Sequence, residues 1–394
     1  MSLFSPITNF FRELSDTLSL FSGKNASLRR LVFYSESDIY YQYYEDVIAS
    51  ISSESDLEIC YITSDPEDSI FKRNIPRLKT FYINNLLPFA MIYFDSAAFV
   101  MTMPDLGNFH IKRSINEVNY IYAFHAIGST HLMSKKGAFD HYDTILCIGT
   151  YHPEEIRAAE KKYGTKAKTL IECGYPRLDK IYRDHEKLEA EKSGCDAQTK
   201  KILIAPTWSP GNILDSCIFE IVDSLAADKN FCVAIRPHPE YKKRFPHRVK
   251  AIGEKIKDFP QFSLELDMLS EKSLHEADVL ITDWSAISFE YALGTGRPVL
   301  FIDTPMRVDN PDYAELGIEP VEFSARKNLG IALPPEKAGE IGETVGKLIA
   351  GRLEFRSKIE EYRKTLVYNF GSSAAIAARV IIDAAQKGVR SIAG

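Results

Sequence analysis

Val279-Leu280-Ile281-Thr282-Asp283-Trp284-Ser285-Ala286-Ile287-Ser288-Phe289-Glu290-Tyr291 passes from an apolar run through a polar turn into a helical pattern. Val279–Thr282 reads as a strand, and a helix begins near Ser285. Ser285 is a natural N-cap, and free amides at a helix N-terminus suit a phosphate or diphosphate. Asp283, Trp284, Ser285 and Ala286 are therefore candidate ligand contacts. Glu290, about one turn on, is placed to reach a ligand hydroxyl. Neither G-x-G-x-x-G nor G-x-x-x-x-G-K-[ST] occurs here, which weakens dinucleotide and P-loop readings.

The same unit recurs on both sides of this stretch. Strand-like runs stand at 31–34, 57–62, 80–83, 97–103, 120–125, 144–148 and 170–172. A charged, aromatic-poor segment, 182–201, reads as a linker. Further runs then follow at 202–205, 231–235, 279–282 and 298–302, and a helical tail at about 335–387. Strands alternating with helices imply parallel sheets, and two such series imply two doubly wound α/β domains. The expected organisation is an N-terminal helix (1–28), a Rossmann-like domain (29–190), a second one (200–350) and C-terminal helices (351–394). In such sheets ligands bind beyond the carboxyl ends of strands.

Three more strands end in chemically suggestive turns. Phe124-His125-Ala126-Ile127-Gly128-Ser129-Thr130-His131 places a histidine at a strand end, followed by Gly128, Ser129 and Thr130 as an anion-binding helix start. His125, or His131 in its place, could act as a base. Arg236-Pro237-His238-Pro239-Glu240 is held extended by its prolines, so Arg236 and His238 would point to one side, as suits a phosphate. Ala205-Pro206-Thr207-Trp208-Ser209 offers Thr207 to a phosphate and Trp208 to a cleft wall. Each of these is also readable as an ordinary strand-ending turn.

Composition excludes other classes. With 48 basic and 54 acidic residues the net charge is −6, which argues against general affinity for nucleic acid. Six cysteines without a CxxC pair point to reduced, buried thiols, and the nine histidines show no zinc-ligand spacing. No secretory leader is visible, and no apolar run spans a bilayer. The longest candidate, 86–94, reads as a buried helix. Phe4, Ile7, Phe11, Leu14, Leu18 and Phe21 form one stripe of a helix. That stripe suits packing on its own domain, on a partner chain, or in a membrane interface.

Taken in order, the His125 loop, Gly174-Tyr175-Pro176-Arg177-Leu178-Asp179, Ala205-Pro206-Thr207-Trp208, Arg236-Pro237-His238-Pro239-Glu240, the Asp283 stretch and Gly296-Arg297-Pro298-Val299 resemble the CDP-glycerol glycerophosphotransferase family. The resemblance runs over about 115–305. It implies a GT-B-like fold, two Rossmann-type domains with parallel sheets facing a cleft. It implies transfer of a polyol phosphate from CDP-glycerol or CDP-ribitol to a lipid-linked or glycan acceptor, with release of CMP. His125 is then the base on the acceptor hydroxyl, and His238 with Arg236 steadies the diphosphate. Ser285 and its helix hold phosphate, and Glu290 a hydroxyl. Phe124 and Ala126 stand where the family has Trp and Gly, and Trp284 and Ala286 where it has Tyr and Ser. No cofactor is required, though a divalent cation could accompany the diphosphate. The expected place is the cytoplasm, at the inner face of the plasma membrane, with contact through residues 4–21 and scope for a homo-oligomer. A GT-B glycosyltransferase and a non-catalytic binding protein are the alternatives.

Overall fold

The computed structural model describes residues 5–191, 199–267 and 270–390. Their strands form two all-parallel sheets. The first contains β1 (Leu31–Ser35), β2 (Ile59–Thr63), β3 (Leu78–Tyr82), β4 (Ala98–Met101), β5 (Asn119–Ala123), β6 (Thr144–Cys147) and β7 (Thr169–Glu172) in the order β3-β2-β1-β4-β5-β6-β7. The second contains β8 (Lys200–Ile204), β9 (Phe231–Ile235), β10 (Phe262–Leu264), β11 (Val279–Thr282), β12 (Val299–Ile302) and β13 (Gly330–Leu333) in the order β10-β9-β8-β11-β12-β13. β1, β2, β4, β6, β11 and β12 are buried at every position. Helices cover both faces of such strands, so they read as unbroken apolar runs.

The chain forms two compact units. Unit 1 holds residues up to His125, Ser134–Arg177 and the segment from Val367; unit 2 holds Ala126–Met133 and Leu178–Leu366. The division therefore passes near the start of the helix Pro176–Glu191, not through the charged stretch expected as a linker. Residues 182–191 of that stretch are helical, and Ser193 and Gly194 lie outside the described residues. The tail is helical, as read, but divided. Arg352–Leu366 belongs to unit 2. Ser373–Arg390 packs Ala377, Ala378, Ile381, Ile382 and Ala385 into the core of unit 1.

Gly174, after β7, adopts φ +91°, and a Cβ there would stand 2.3 Å from both Ser373 Oγ and the Tyr368 carbonyl oxygen. Only glycine admits that approach. Cys60, Cys147, Cys173 and Cys217 are buried as expected; Cys232 is exposed, and Cys195 lies outside the described residues.

The N-terminal helix, Ser5–Phe21, does not bury its apolar stripe. It meets unit 1 through Leu20 and through Glu13, which is fully buried. Glu13 accepts the backbone N–H groups of Asn84 (2.6 Å) and Leu86 (2.7 Å) at the entry to the helix Leu87–Tyr93. Ile7, Phe10, Phe11, Leu14 and Leu18 face outward, while Phe21 closes on Phe94 with ring centroids 5.1 Å apart. Phe4 lies outside the described residues. The helix Leu87–Tyr93 was expected to be buried; it buries Leu87, Ala90 and Met91 but exposes Phe89 and Tyr93. No described helix is long and apolar enough to cross a membrane.

Candidate functional site

In unit 2 the strand order reverses between β8 and β11, so the loops that follow those strands open a crevice at the sheet's carboxyl edge. Asp283, after β11, ties the two loops together. It accepts the N–H groups of Thr207 (2.8 Å) and Ile213 (3.3 Å) and is almost wholly buried. Burial raises its carboxyl to about 6 against the opposing pull of those amides. Asp283 therefore shapes the crevice, and it also lines the pocket beside Trp284.

Trp208, after β8, has two guanidinium groups over its ring. Arg244 stands 4.6 Å and Arg307 5.2 Å from its ring, and the His238 ring lies 6.3 Å away. The hydroxyls of Thr207 and Ser209, on either side of Trp208, and of Thr304 are buried with no hydrogen-bond partner among the described residues. Orphaned buried hydroxyls are uncommon and mark room for a ligand or water.

His238 N-caps the helix Pro239–Arg244, its Nδ1 accepting the Glu240 N–H at 3.1 Å. The ring proton must then sit on Nε2. Burial, followed by the charge of Arg307, lowers His238 to about 4, so the ring is neutral at pH 7 and donates through Nε2. Arg236 is not its partner. The guanidinium is buried against Glu265 (2.9 Å), the Ser270 carbonyl and the Ser273 hydroxyl. The cation beside His238 is Arg307, which no motif singled out.

Trp284 lines a shallow pocket with Ser285, Ala286, Ser288, Glu322 and Arg326. Its indole N–H donates to the Thr304 carbonyl at 2.8 Å. The Arg326 guanidinium stacks on it at 4.2 Å, donates to the Asp283 carbonyl at 2.9 Å and pairs with Asp303. Both tryptophans follow the strands that flank the reversal point. Ser285 is not the N-cap: the helix Ile287–Thr295 is preceded by Ala286, which supplies no side-chain cap. Glu290 is buried on that helix, outside the pocket lining.

The Gly128-Ser129-Thr130 turn also departs from expectation. The Ser129 N–H donates to Glu322 at 2.8 Å and its hydroxyl to the other Glu322 oxygen. A carboxylate of the chain thus fills the place read as an anion site. His131 is buried and its Nε2 meets the Ile318 carbonyl at 3.1 Å.

In unit 1 the order reverses between β1 and β4. His125, after β5, places Nδ1 3.1 Å from the Thr102 carbonyl after β4. A carbonyl only accepts, so Nδ1 carries the proton and Nε2 keeps its lone pair. Tyr40 and Tyr43, on the 3-10 turn Asp38–Tyr43 after β1, stand edge-on to the ring at 5.7 and 6.0 Å. Phe124, in place of the family's Trp, stacks on His152 at 4.0 Å.

Among the described residues one group has metal-ligand geometry, Asp184, Glu271 and His275. Lys180 already bonds Asp184 at 2.7 Å and lies 3.8 Å from Glu271. It reads as a charge network on unit 2, separate from the Trp284 pocket.

Two doubly wound parallel sheets, each with functional groups at its carboxyl edge, define a GT-B-like α/β protein. Residues 117–307 match the family described as CDP-Glycerol:Poly(glycerophosphate) glycerophosphotransferase. The teichoic acid glycerol-phosphate primase of Bacillus subtilis (strain 168) is 28% identical over 168 residues, covering 41% of this chain and 40% of that protein. The teichoic acid poly(glycerol phosphate) polymerase of Bacillus spizizenii (strain ATCC 23059 / NRRL B-14472 / W23) is 27% identical over 209 residues, 48% of each. The matches thus span under half the length of these curated relatives. A structure of the wall teichoic acid polymerase TagF soaked with CDPG has a TM-score of 0.63 at 15% identity, covering 99% of this chain and all of that one. The resemblance read over about 115–305 is borne out, as is the fold it implied.

Proposed function

We propose that the chain transfers a polyol phosphate, glycerol phosphate foremost, from a CDP-activated donor to an acceptor hydroxyl of a cell-envelope polymer or glycolipid. The observation that carries this reading is the state of His238. It is a neutral imidazole with its proton fixed on Nε2, beside Arg307 and Trp208 at the reversal point of the second sheet. Such a donor next to a permanent cation favours the charge that gathers on a departing nucleotide phosphate.

Unit 2 holds the donor in this reading, and His125 of unit 1 serves the acceptor. His125 Nε2 takes the hydroxyl proton, the freed oxygen attacks the phosphorus bonded to glycerol, and the anhydride oxygen leaves with CMP. Ser285, with Ala286 and Trp284 at the pocket, contacts the donor head group, and CDP-ribitol is the alternative donor. No step needs a resident metal; a divalent ion carried by the diphosphate is compatible. The acceptor is lipid-linked or a glycan, and the outward stripe of Ser5–Phe21 provides a peripheral contact at the cytoplasmic membrane face.

The test is nucleotide release measured across CDP-glycerol, CDP-ribitol and UDP-sugars. CMP release from a CDP-polyol that depends on both histidines supports the reading. UDP release from nucleotide sugars makes the chain a glycosyltransferase, and no turnover with any donor makes it a binding protein.

A further inference from the structure

Glu36 follows β1 directly, at the point where the first sheet reverses its strand order. It is half-buried, and among the described residues it has neither a hydrogen-bond nor an ion-pair partner. Its surroundings are phenolic: its charge is felt by Tyr34, Tyr44 and Tyr122. Burial pushes its carboxyl up. An acid held this way costs stability, and such costs gather where a ligand is to be met.

The neighbours give the ligand's character. Four residues beyond Glu36, Tyr40 stands edge-on to His125, and Tyr43 joins it with the Arg177 guanidinium 5.5 Å over its ring. The Thr102 carbonyl, after the strand beside β1, fixes the His125 proton. Loops after β1, β4 and β5 thus converge around one base. Tyrosine rings offer apolar surface to the C–H faces of a sugar or polyol. An unpaired carboxylate accepts hydrogen bonds from hydroxyls and repels phosphate.

We infer that Glu36, Tyr40 and Tyr43 form the acceptor subsite and take a neutral polyhydroxyl end, a sugar ring or polyol, with Glu36 binding a hydroxyl next to the one that reacts. This rests on the proposed transfer reaction. It lies outside the segment that matches the family, since residues 36–43 precede residue 117.

The experiment uses Glu36→Gln and Tyr40→Ala in the full chain, with acceptors ending in a neutral glycoside or in glycerol phosphate. Loss of a hydrogen bond to a charged group weakens binding roughly tenfold or more. Glu36→Gln is expected to raise KM for the neutral acceptor by about that factor, with KM for the CDP donor unchanged. It is also expected to raise Tm, because an unpaired acid is replaced by a neutral amide. A KM for the neutral acceptor that stays within about twofold in both variants overturns the inference. So does a lowered Tm with KM for donor and acceptor rising together, the mark of a structural carboxylate. If no CDP donor is turned over by the unaltered chain, the transfer reading is what fails. Binding of a neutral disaccharide, followed by saturation-transfer NMR and lost in Glu36→Gln, then still decides the subsite.

Discussion

Glu240 donates its backbone N–H to His238 Nδ1 at 3.1 Å, and this one bond settles which nitrogen of the histidine faces a ligand as a donor. The neutral ring persists down to about pH 4. Activity should therefore show no limb from His238 between pH 5 and 8. Stability behaves otherwise. The unfolded chain protonates this histidine below its ordinary value near 6.5, while the folded chain does not until about 4. Its contribution is complete above the ordinary value and is lost as pH falls through that window. Urea unfolding at pH 7 and pH 5 should show a larger loss for the unaltered protein than for His238→Gln. Equal losses would exclude the buried neutral state.

His125→Ala should lower kcat by about 10²–10⁴-fold, the usual span for a general base. Binding of CDP-glycerol, measured by calorimetry, should be unchanged, since His125 belongs to unit 1. A weakened donor with normal kcat would assign His125 to donor binding instead.

Arg326 joins three groups: the Trp284 ring, the Asp283 carbonyl and Asp303. Arg326→Lys keeps the charge but loses the planar stack and the forked donation. The expected result is a KM for donor raised about tenfold, with Trp284 fluorescence changed, and a loss of about 1–3 kcal/mol in stability. Unchanged KM and fluorescence would remove Arg326 from the pocket.

The N-terminal helix separates two roles on opposite faces. Glu13→Ala leaves two buried amides unpaired and should destabilise the fold by about 1–3 kcal/mol in urea titration. Ile7→Ser, Phe11→Ser and Leu18→Ser together alter only outward residues. They should leave Tm and turnover of a water-soluble acceptor unchanged but cut co-sedimentation with anionic vesicles about tenfold or more. Unaltered sedimentation would refute membrane contact through this face.

The strands were legible because a doubly wound sheet writes each one as an apolar run. β10 and β13 escaped notice: Phe262–Leu264 is three residues long, and Gly330–Leu333 is an edge strand opened by glycine. His125, His238 and both tryptophans were legible because strand ends locate functional turns. Arg307, Arg326 and Glu322 were not, since Arg307 meets Trp208, Arg326 meets Asp303 and Glu322 meets Ser129 across 23 to 193 residues of chain. The Ser129 turn misled for a related reason. A helix start that suits phosphate suits a carboxylate equally, and only the fold brings Glu322 to it. Arg236 misled because the alternation of an extended segment says nothing about the acid waiting at Glu265.

Unit 1 is assembled from segments that include both the beginning of the described chain and the helix Ser373–Arg390. On the ribosome its first sheet emerges early, yet the alanine-rich helix that seals one face is made after all of unit 2. Unit 2 can therefore finish folding while the core of unit 1 still lacks Ala377, Ala378, Ile381, Ile382 and Ala385. The order of synthesis and the order of completion thus run opposite ways for unit 1.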